Sequence, residues 1–114
     1  MNIHYLRRFI KQLMEQIDNL NNVLTNNIAT EGLITVLFNE DIQKIVSIYT
    51  PLETTIESLV DEMDFSPPLR ESIDGFCSLT VKLRNLLSEG SFQEDLLTNI
   101  QQIYEKYNVL KKYL

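Results

Sequence analysis

Apolar residues recur three and then four positions apart through nearly the whole chain, in four separate blocks. The first reads Ile3, Leu6, Ile10, Leu13, Ile17, Leu20 and Leu24. A 3,4 spacing averages 3.5 residues, so all seven fall on one seam of an α-helix. Phe9, Met14 and Val23 flank the seam and widen it, which predicts a helix over about 2–25 that touches at least two neighbours. The Asn-rich stretch from Asn19 to Asn27 has weak helical propensity and ends it.

The second block is Phe38, Ile42, Ile45, Tyr49, Leu52, Ile56, Leu59 and Met63. It keeps its phase straight through Pro51, a residue that breaks most helix interiors. A shared register on both sides predicts one long helix over about 31–64, bent at Pro51. Locally, Thr50, Pro51 and Glu53 resemble an N-cap, an N1 proline and the acid of a capping box, so a full break at Thr50 is the alternative. The run Leu33 to Phe38 has strand propensity in Ile34, Thr35 and Val36, yet no partner strand is visible, and a buried helical turn is the simpler reading.

Ser66, Pro67 and Pro68 mark the start of a third helix, about 67–89, with Leu69, Ile73, Phe76, Thr80, Leu83 and Leu87 on its seam. Gly90 supplies a stop. Ser91 and Glu94 then read as a capping box for a fourth helix, about 92–113, whose stripe is Leu96, Ile100, Ile103, Tyr107, Leu110 and Leu114. Such short connections turn successive helices back on one another. The expectation is an all-α, antiparallel bundle of three to four long helices with coiled-coil-like packing, in one domain over 1–114.

Composition narrows the function. With sixteen acidic against ten basic residues the net charge is −6, which disfavours a binder of nucleic-acid backbones. No apolar run approaches the roughly 20 residues of a membrane span, and no signal-peptide core follows the basic start. A lone cysteine, Cys77, has no intramolecular partner and fits a reducing cytoplasm. Cys77 reads as a small buried hydrophobe and His4 as a solvated terminal residue. Neither makes a nucleophile–base pair, and no metal or cofactor motif appears, so the chain is expected not to be an enzyme and to carry no cofactor.

Two charged faces remain. Glu53, Glu57 and Asp61, with Asp64, share one helix face; they are expected to lie in water, with a metal-dependent enzyme as the remote alternative. Arg7, Arg8 and Lys11 form a short basic face of the kind that ordinarily pairs with acidic neighbours in the same bundle, with contact to anionic lipid as the alternative. Lys106, Lys111 and Lys112 suit the negative end of the fourth helix.

The function expected from this is protein–protein interaction: an adaptor, inhibitor or export-chaperone-like module that takes an amphipathic helix of another protein in an apolar groove. Small acidic helical chaperones of bacterial flagellar and type III export systems are similar in size and build, a likeness of architecture alone. The candidate contact residues are Leu33, Val36, Leu37, Phe38, Phe9, Met14, Tyr104 and Tyr113. The alternative is a homodimer in which a helix seam pairs with its own copy.

Overall fold

The computed structural model describes residues 3–26, 33–34 and 40–114. Among them run four helices, α1 (Ile3–Asn26), α2 (Glu40–Glu62), α3 (Pro67–Glu89) and α4 (Gln93–Leu110). Two short strands, β1 (Leu33–Ile34) and β2 (Ser91–Phe92), lie in the connections before α2 and α4. Helices α1 and α2 pack closely, as do α3 and α4, and the two pairs meet through α2 against α3 and α1 against α4. The result is an all-α four-helix bundle with extents of 46 × 22 × 20 Å.

Named contacts give the directions. Arg7 meets Leu114, Asp18 meets Tyr104, and Leu24 meets Gln93, so α1 and α4 are antiparallel. Asn99 reaches Leu79, and Phe76 lies against Tyr107, which makes α3 and α4 antiparallel as well. The seam of α1 is where its spacing places it: Leu6, Ile10, Leu13, Ile17, Leu20 and Leu24 are all buried.

In α2 the structure corrects two sequence readings and removes the alternative of a break at Thr50. The helix starts at Glu40, not near 31, because Leu33 and Ile34 pair antiparallel with Phe92 and Ser91. The strand partner was present but far along the chain, where periodicity cannot reach it. The helix is unbroken at Thr50, and Pro51 lies inside it with its ring exposed. Finally, the buried line is Ile42, Ile45, Tyr49, Glu53, Ile56 and Val60, while Leu52, Leu59 and Met63 are half-buried. A helix of 3.6 residues per turn drifts away from a strict 3.5 repeat, so past Pro51 the core side moves onto Glu53 and Val60.

The other helix ends are simple. Helix α3 starts on Pro67 after an extended Ser66, whose side chain makes no capping bond. Arg70 Nη1 donates at 3.1 Å to the Val60 carbonyl, which also accepts the Met63 N–H at 3.3 Å, so the last turn of α2 is tied to α3. Gly90 closes α3 with φ 75°, a left-handed value that an L side chain resists. The expected Ser91–Glu94 capping box does not form. Ser91 belongs to β2, its hydroxyl donates back to the Leu86 carbonyl at 2.9 Å, and Phe92 caps α4 with no side-chain bond.

Candidate functional site

Of the eight residues expected to contact a partner, the structure describes the side chains of four, Phe9, Met14, Tyr104 and Tyr113. Val36, Leu37 and Phe38 lie outside the described residues, and Leu33 is described only through its backbone pairing with Phe92. Met14 is 6% exposed and belongs to the core, so it is withdrawn as a contact residue: a flexible thioether beside the α1 seam fills space between helices. Phe9 is half-buried against the same core. Tyr104 is half-buried, and its hydroxyl donates to Asp18 Oδ1 at 2.5 Å, tying α4 to α1. Burial, and then that carboxylate, push the Tyr104 phenol above its ordinary pKa. Tyr113 stands exposed past the last turn of α4.

An apolar hollow opens elsewhere, along the first half of α4. Among the described residues Phe92, Gln93, Glu94, Leu97, Thr98 and Gln101 line its volume of about 450 Å³. Gln93, Leu97 and Gln101 form one row at i, i+4, i+8, and Phe92 stands at its head with 55% of its surface exposed. Local geometry holds Phe92 out. Gly90 turns the chain, the β1–β2 pairing fixes the Phe92 backbone, and the Gln93 side-chain amide donates to the Leu24 carbonyl of α1. Phe92 escaped the sequence reading because it lies off the helical stripe, between two residues that resemble a cap.

A second constellation is buried between α2 and α3. Tyr49 donates its phenolic hydrogen to the Thr80 carbonyl at 2.6 Å, and burial drives its pKa far up. One turn on, Glu53 is 1% exposed, which corrects its expected place on a solvated acidic face. Arg84 Nη1 donates to Glu53 Oε2 at 2.7 Å and more weakly to Glu57 Oε2 at 3.4 Å. Glu53 Oε1 has no partner. Burial first, and then the neighbouring Glu57 carboxylate, raise the Glu53 pKa to about 7 against the pull of Arg84.

This cluster is poor ground for catalysis. The half-buried Cys77 thiol is pushed up to about 12, first by burial and then by the Glu53, Glu57 and Asp74 carboxylates, so it is no nucleophile near neutrality. Among the described residues no three His, Cys, Asp or Glu side chains are grouped to hold a metal ion. None of the described helices is long and apolar enough to cross a membrane. Comparison with protein-family models, with curated proteins and with solved structures finds no match.

Proposed function

We propose that this chain is a non-enzymatic protein-binding module that receives an amphipathic helix of another protein in the hollow beside Phe92. The observation that carries the reading is the exposed ring of Phe92, held by the strand pair at the head of the Gln93–Leu97–Gln101 row on α4, in which Leu97 is the apolar member. An aromatic side chain gains about 1.5–3 kcal/mol when fully withdrawn from water, and rigid aromatics are favoured anchors of interfaces. The i, i+4, i+8 row is a ridge-and-groove surface suited to a second helix, and Gln93, Glu94, Thr98 and Gln101 supply the polar rim.

The test places a photo-crosslinking phenylalanine analogue at position 92 in the native cell. A discrete protein adduct at this site, lost when Leu97→Asp is added and absent when the analogue sits at the exposed Lys82, is the expected result. An adduct that consists of the chain itself, together with a dimer in sedimentation velocity, would replace the reading with a homodimer. No adduct, or one indifferent to Leu97→Asp, removes the hollow as a docking site.

A further inference from the structure

Five of the ten Lys and Arg residues, Arg7, Arg8, Lys11, Lys111 and Lys112, gather where the start of α1 meets the end of α4. Among the described residues none of the five makes an ion pair. The pairs found there join Arg70 to Asp74, and Arg84 to Glu53 and Glu57. Among the described residues the expected pairing of the α1 basic face with Asp or Glu side chains therefore does not occur, and two more cations just past the end of α4 join it. In a chain of net charge −6 this is a local concentration of positive charge that composition alone does not produce.

The cations surround open space. Arg7, Lys11 and Lys111 wall a hollow of about 300 Å³ floored by Ile10, Tyr107 and Leu114. A neighbouring hollow of about 400 Å³ shares Arg7 and Lys11 and adds Arg8, His4 and Gln12, with Glu15 as the single carboxylate among the described residues on its wall. Arg7 is held in place, since its Nη2 donates to the Leu114 carbonyl, and Lys111 Nζ lies 5.9 Å over the Tyr107 ring. The Arg7 Nε is buried with no acceptor. A buried guanidinium donor without a partner is expensive, and it leaves the Arg7 charge compensated only by the Leu114 oxygen that Nη2 meets.

We propose that this corner is a binding site for a multiply charged phosphate group. One fixed guanidinium and two ammonium groups, with Arg8 at the rim, exceed the charge of a single carboxylate and match a phosphate monoester or diphosphate. A hollow of about 300 Å³ holds such a group with space for what it is attached to. Free phosphate compounds and the headgroup of a phosphomonoester lipid share this chemistry. The site is separate from the Phe92 hollow, and its failure leaves the docking reading untouched.

The experiment titrates the full chain with inorganic pyrophosphate at ionic strength balanced by NaCl, following the Arg7 Nε–H and Tyr107 ring signals by NMR. In parallel, the chain is sedimented with phosphatidylcholine vesicles with and without phosphatidic acid. Saturable movement of the Arg7 Nε–H signal supports the site with a free phosphate source; sedimentation with phosphatidic acid alone, with no response to pyrophosphate, supports it with a lipid source. Lys11→Gln and Lys111→Gln, both exposed and in no ion pair among the described residues, should each weaken binding about tenfold, as loss of one charge-assisted contact does, with melting little changed. Binding to neither probe overturns the proposal. So does equal binding of glutarate, or full affinity in both variants.

Discussion

Arg84 on α3 donates to Glu53 on α2 at 2.7 Å across the buried side of the bundle, yet the other Glu53 oxygen is left unpaired. The carboxyl is thus half-compensated, and protonation relieves it. Its folded pKa of about 7 lies above the ordinary 4.5, so between those values the folded chain holds a proton that the unfolded chain releases. The contribution is fully present below pH 4.5 and is lost as pH rises through 7. Relative to Glu53→Gln, wild-type stability should fall by on the order of 1–3 kcal/mol across that window, with the variant melting higher at alkaline pH. Urea titrations of both proteins from acid to mildly alkaline pH measure the difference, and parallel curves would refute it.

Pro51 removes one backbone donor from the middle of α2 without ending the helix. Because its ring is exposed, nothing in the core depends on it. Pro51→Ala should restore the missing hydrogen bond and raise stability by about 1–3 kcal/mol. Denaturant melting checks this, and a destabilised variant would show that the helix relies on the proline.

Two glycines should respond with opposite sign. Gly75 lies inside α3, where an added Cβ would meet the Lys106 side chain at 3.7 Å, an ordinary contact. Gly75→Ala should therefore stabilise by about 0.5–1 kcal/mol. Gly90 has φ 75°, so Gly90→Ala should destabilise by about 1–2 kcal/mol. Thermal melting of the pair reads both shifts.

With its pKa near 12 and its side chain half-buried, Cys77 should react with a maleimide at neutral pH on the order of 10²–10³-fold more slowly than a free thiol. Unfolding in urea should restore the ordinary rate. Rapid labelling of the native chain would contradict both its burial and its raised pKa.

Truncating Leu13, which is fully buried on the α1 seam, should cost about 2–5 kcal/mol as Leu13→Ala. Leu13→Asp should unfold the chain, since an unpaired charge finds no partner there. Circular dichroism separates the two outcomes.

The α1 seam, the stop at Gly90 and the continuity of α2 through Pro51 were legible because each depends on neighbours within a few turns. Glu53 was not. A carboxylate is ordinarily assigned to water, and the group that makes its burial tolerable, Arg84, lies on another helix. Pairing of Leu33 with Phe92 was hidden for the same reason: strand partners distant in sequence leave no periodic trace. The basic corner was half-visible, since Arg7, Arg8 and Lys11 stand together in the chain while Lys111 and Lys112 join them only through folding.

The small β1–β2 pairing also governs how the bundle would come apart. It bolts the two helical hairpins together at one end, and residues 63–66 join them covalently at the other. Helices α2 and α3 thereby form the spine of a book whose covers are α1 and α4, latched by Gln93, Tyr104 and Arg7. Exchange of deep amides should accordingly begin along the fore-edge and reach the spine last.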